Sequence, residues 1–211
     1  MKGWGHATRA IEGMVLFVGL PLVFYMEPIR LPKLPSLWVL TLYCWAILWT
    51  DRGFDRRRLG NLAALGPFVR AAWPRMLAVL AVLAALAYAF DPGMVFWFPC
   101  QRPGIWLMVM VGYPLLSAYP QEMIYRTFLF RRYRAFFGEG RGMAGASALA
   151  FGFLHLIYDN PVAVGLSLLG GWFFAQTYRQ TGSTLAATFE HALYGCWIFT
   201  VGWGRFFYEG W

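Results

Sequence analysis

Residues Tyr119-Pro120-Gln121-Glu122-Met123-Ile124-Tyr125-Arg126 place a carboxylate and a guanidinium inside an otherwise apolar run. Between Ile105 and Ala118 the only ionisable side chain is that of Tyr113, and Thr127-Phe128-Leu129-Phe130 is uncharged before the basic Arg131, Arg132 and Arg134. A segment of this kind reads as a membrane helix, where buried charge is costly and marks function by default. Glu122 and Arg126 are four residues apart, so a helix puts them on one face, where they can pair. Gln121 is turned by about 100° from Glu122 and looks elsewhere. A salt pair that only locks two helices together is the competing reading. Pro120 removes one helix hydrogen bond, so the segment kinks or starts a new helix there. Such a bend suits a plain packing kink and a site that admits water equally well.

The composition agrees with a membrane setting. Of 211 residues, 59% are hydrophobic and only 13% are charged, and the mean hydropathy is +0.50. A soluble domain has about a quarter of its residues charged. A net charge of +8 would point to nucleic acid in a soluble protein. Here the basic residues cluster between apolar spans, which the positive-inside rule explains without nucleic acid. Cys44, Cys100 and Cys196 are odd in number and far apart, so they support neither a disulfide framework nor a thiolate zinc site. The start of the chain carries charge but no small-residue cleavage site after its first apolar run, so that run reads as a retained span.

Seven apolar stretches are predicted as helices: 11–26, 36–50, 76–90, 105–130, 143–158, 161–178 and 183–202. Several fall short of the roughly 20 residues a span needs, so the helices should extend into their flanks. The fold class expected is an all-α polytopic membrane bundle of about seven transmembrane helices. It divides into scaffold helices over 1–104 and a core over 105–211, within one structural unit. Placing the N-terminus in the cytoplasm puts Lys2 and Arg9 inside, then Arg52, Arg56, Arg57, Arg58, Arg70 and Arg75, then Arg131, Arg132, Arg134 and Arg141, then Arg179. Only Arg30, Lys33, Arg102 and Arg205 fall outside, together with the C-terminus. The connection 51–76 has leucines and a phenylalanine among its arginines and is expected to hold an interfacial amphipathic helix.

Two further polar centres follow. His155 lies four residues after Phe151 in an apolar helix, and Glu190-His191 interrupts the last one. Glu190 and His191 are adjacent and so occupy different helix faces, although both can border one cavity. A lone histidine here is often a hydrogen-bonded structural residue. Two imidazoles and a carboxylate in one bundle can hold a water for attack on a carbonyl. The same set could hold a zinc ion, with His155 and His191 as ligands. The glycines Gly165, Gly170 and Gly171 of the sixth helix permit close backbone approach, a packing role.

The three centres together resemble the CPBP family of intramembrane proteases, related to the CAAX prenyl endopeptidases. The family pattern is E-E-x-x-x-R, F-x-x-x-H and H-x-x-x-N on three membrane helices. It reads here as Gln121-Glu122-Met-Ile-Tyr-Arg126, Phe151-Gly-Phe-Leu-His155 and His191-Ala-Leu-Tyr-Gly195. The resemblance implies an endopeptidase that cleaves a membrane-anchored or lipidated protein with Glu/His-activated water, embedded in the lipid bilayer of a bacterial inner membrane. It implies catalytic roles for Glu122, His155 and His191, with Gln121, Arg126 and Phe151 supporting. In the family the first glutamate activates water and the final asparagine holds the carbonyl oxygen. Gln121 cannot be a base, and Gly195 has no side chain. Glu190 is therefore a candidate replacement base, and Arg126, His155, Asn160 or backbone amides are candidate oxyanion donors. An inactive relative that binds membrane peptides is the alternative. A transporter is a more distant one, because no inverted repeat is visible.

Overall fold

The computed structural model describes residues 5–26 and 32–208. Lys2 and Arg30, which entered the charge reading, lie outside the described residues. Among the described residues the chain is helical throughout, with seven long helical segments and no strand. These are α1 (His6–Met26), α2 (Lys33–Thr50), α3 (Leu65–Phe90), α4 (103–132), α5 (Arg141–Leu154), α6 (Pro161–Thr181) and α7 (Thr184–Thr200). They overrun the predicted stretches at half of the ends, while the fifth stops short at its C-terminal end and the seventh at both ends. His6–Met26 and Leu62–Phe90 are each long and apolar enough to cross a membrane by length and composition alone.

One expectation fails in the 51–76 connection. It contains two short 3-10 turns, Arg56–Leu59 and Leu62–Ala64, and then α3 itself, which starts at Leu65. No separate amphipathic helix forms. Asp51 accepts a hydrogen bond from the Gly53 amide and Asp55 from that of Arg57, so turns take up the first part of the segment. Arg70 and Arg75 consequently belong to α3 and not to a loop.

Helix α4 is the axis of the bundle. From Ala118 to Leu129 all but one residue is buried, and Tyr125, Phe128 and Met123 pack against Phe17, Leu48, Phe151 and Phe174 of the surrounding helices. The chain passes through Pro120 without breaking, but wide π turns form at Pro114–Ala118 and Met123–Phe128. A proline lacks the amide that a regular turn needs, and a widened turn is a common remedy. Helices α5 and α6 approach most closely. A Cβ on Gly152 would lie 2.4 Å from Leu168, and one on Gly171 would lie 3.2 Å from the Ala148 backbone. Gly165, by contrast, faces open space. Gly182, at φ +60°, makes the tight link from α6 to α7, and Ser183 caps α7 by accepting from the Ala186 amide.

The surface is apolar where it faces outward, with Val39, Val82, Met108, Val111 and Leu149 well exposed, while Glu122, Arg126, Glu190 and His191 are buried. That inversion suits a lipid surround. The arginine-rich helix ends are held together by Arg131 with Asp51 (2.7 Å) and Arg132 with Glu12 (2.9 Å).

Candidate active site

Glu122 is completely buried on α4. Its Oε1 lies 2.8 Å from Nδ1 of His191, which projects from α7. Its Oε2 lies 3.1 Å from Nε of Arg126, a close charge contact that lacks hydrogen-bond alignment. Arg126 donates from Nη2 to the Gly171 carbonyl (3.2 Å), and its guanidinium sits 4.5 Å from the centre of the Phe151 ring. The site thus balances one buried carboxylate with one buried cation, and aromatic faces supply part of the cation's surroundings.

His191 is fixed on every side. An ionised carboxylate can only accept, so the contact with Glu122 puts a proton on Nδ1. Nε2 meets the Tyr113 hydroxyl at 2.8 Å, and the ring stacks on Phe174 at 4.5 Å. His155 follows α5 in a 3-10 turn, where its Nδ1 donates to the Phe151 carbonyl at 2.7 Å. That bond leaves Nε2 as the acceptor of the neutral ring. Both imidazoles pack on Phe151, at 4.7 and 5.4 Å, so their centres are separated by no more than the sum, about 10 Å.

His155, His191 and Gln121 line one cavity of about 1070 Å³, whose walls are mostly apolar. Gln121 is 9% exposed, donates from its amide nitrogen to Ser117 Oγ (2.8 Å), and leaves its carbonyl oxygen without a hydrogen-bond partner. Glu122 and Arg126 stand directly behind this wall. Gly195 and Tyr113 also border the cavity.

Two sequence candidates are placed elsewhere. The Glu190 carboxylate does not share the cavity with the histidines. Arg75 (2.7 Å) and Tyr194 (2.9 Å) donate to its Oε1 and Thr177 (2.5 Å) to its Oε2. Its neighbour His191 turns toward Glu122 because successive helix residues diverge by about 100°. Asn160 is spent on structure: its side-chain oxygen caps α6 through the Ala163 amide, and its amide donates to the Tyr158 and Phe206 carbonyls. Tyr113 and Arg75 were not singled out as site residues. Tyr113 did carry a signal, as the one ionisable group in its run, but nothing linked it to His191.

The donor set does not fit a zinc ion. Both His191 nitrogens are engaged, and among the described residues no three His, Cys, Asp or Glu side chains are grouped to hold a metal.

No curated protein and no solved structure matches the chain. Residues 102–197, which hold α4 through most of α7, match the family model described as type II CAAX prenyl endopeptidase Rce1-like. Members of that family are integral membrane proteases. The match over residues 102–197 is consistent with the CPBP family of CAAX-type proteases.

Proposed function

We propose that this chain is an intramembrane endopeptidase that hydrolyses a peptide bond in a membrane-anchored or lipidated protein. The observation that carries the reading is the placing of His155 and His191, the latter backed by Glu122, on one apolar cavity within the family-matched segment. His155 Nε2 accepts a proton from water as the water oxygen bonds to the scissile carbonyl carbon. The C–N bond then breaks, and the leaving nitrogen takes that proton back from His155. Gln121 borders the cavity beside this water and, as a carboxamide, takes no proton from it. Glu122 holds the orientation and tautomer of His191, and Arg126 offsets its charge. These steps use no metal. Glu190 acts in this scheme as a structural partner of Arg75.

The seven helices cross the membrane with the arginine-rich ends in the cytoplasm, as the charge bias requires. The cavity lies toward the opposite ends. Leu86, Ile105, Tyr158 and Tyr208 line it, Arg75 lies at its deep end, and no arginine of 52–70 or 131–141 does so. Exposed Ile105 and Met108 leave its apolar wall open on the lipid side. The substrate accordingly presents its scissile bond from the outer half of the bilayer of a bacterial inner membrane. Reporters fused near Arg57 and near Gln101 should report opposite sides.

Gln121 in the place of a glutamate favours a second reading, a relative that holds membrane peptides without cutting them. Native and Gln121→Glu proteins, incubated with membrane-anchored peptides and analysed by mass spectrometry, separate the two. Cleavage by the native chain is expected. A native chain silent on a peptide that Gln121→Glu cuts would end the endopeptidase reading.

A further inference from the structure

We infer that Tyr113 is the carbonyl-polarising donor of this site, placed where a side chain at position 195 would otherwise stand. Gly195 lies one turn beyond His191 on α7. A Cβ there would fall 2.2 Å from Cε1 of Tyr113 and 2.5 Å from both its Cζ and its hydroxyl oxygen. The phenol therefore fills the volume of a residue-195 side chain, and no residue but glycine fits opposite it. Tyr113 reaches this place from α4, immediately before the widened turn at Pro114. Its ring is held edge-on against His191 and Phe199, at 5.8 and 5.7 Å. The missing third-motif side chain and the buried tyrosine are one feature.

The hydroxyl sits 2.8 Å from His191 Nε2, on the wall of the cavity. With His191 neutral, Nε2 accepts and the phenol O–H rests on it. With His191 protonated, Nε2–H donates to the phenol oxygen and the O–H turns to the cavity. In both states a carbonyl oxygen that gains negative charge draws the O–H, because a developing oxyanion is a stronger acceptor than a neutral imidazole. No bond to Tyr113 forms or breaks. It donates a hydrogen bond along the line Glu122, His191, Tyr113, carbonyl oxygen. Preorganised donors of this type act most strongly where water is excluded.

The inference rests on the endopeptidase reading, and the test separates the two. Tyr113→Phe keeps the ring and removes only the donor. It should lower kcat by about 10²–10³ with KM nearly unchanged, the loss typical of one oxyanion donor. Gly195→Asn alone should lose turnover by expelling the phenol, and Tyr113→Ala/Gly195→Asn, which vacates that space for a carboxamide, should recover at least tenfold over Gly195→Asn. Nitrogen NMR of histidine-labelled protein should show His191 Nε2 shifted in Tyr113→Phe. A native chain that cuts no peptide sinks the protease reading and this role with it. A native chain that cuts, with Tyr113→Phe equally fast or the double variant no better than Gly195→Asn, sinks the Tyr113 role alone. An unshifted Nε2 resonance overturns the contact itself.

Discussion

Arg126→Met tests the charge balance at the centre of the bundle. The guanidinium is wholly buried, 3.1 Å from the equally buried Glu122 carboxylate, and it also donates to the Gly171 carbonyl. Methionine keeps most of the volume and the packing on Phe151 and Phe174, so the loss should be electrostatic. It strips Glu122 of its counter-charge in a place that water does not reach. Removing one partner of a buried pair costs about 3–5 kcal/mol. For a chain of this size each kcal/mol moves the melting temperature by about 2–4 °C, so a fall of about 6–20 °C is expected in detergent. The Glu122→Gln/Arg126→Met protein, with neither charge left alone, should melt above the Arg126→Met single variant. Intrinsic fluorescence during heating reads both. A fall below about 2 °C for Arg126→Met would refute the argument, as would a double variant no more stable than that single one.

Glu190→Gln and Arg75→Ala should each lower the melting temperature, and their combination should be less than additive, because one ion pair of 2.7 Å links them. If Glu190→Gln instead abolishes cleavage at unchanged stability, Glu190 is a base after all. Gly152→Ala, whose Cβ would meet Leu168 at 2.4 Å, should cost about 1–3 kcal/mol by forcing α5 from α6, measured by the same heating curves. At the arginine-rich end, Arg131 holds the Asp51 carboxyl below its ordinary value. Its folded pKa being depressed, this pair stabilises above the unfolded pKa of about 3.9, and the contribution is lost as the pH falls through the folded value. Asp51→Asn should therefore cost at most about 1 kcal/mol near neutrality and nothing in strong acid, both groups being partly exposed.

Much of the architecture is legible in the sequence because apolar runs are local. The seven stretches, their helical state and the pairing of Glu122 with Arg126 at four residues' spacing need no knowledge of the rest of the chain. The three motifs mark the family in the same way, each within one helix. The start of α3 was misread because Arg70 and Arg75 look like a loop, although Arg75 runs inward to a carboxylate 115 residues away. Which face of a helix looks into a cavity is decided by its neighbours. For that reason the adjacent Glu190 and His191 could not be told apart, and only packing turned one toward Arg75 and the other toward Glu122. Gly195 reads in sequence as a lost function. In the folded chain it is the space that admits a tyrosine from another helix, 82 residues earlier in the sequence. A side chain's volume can be vacated at one position and filled from another, and such an exchange is visible only once α4 and α7 lie side by side.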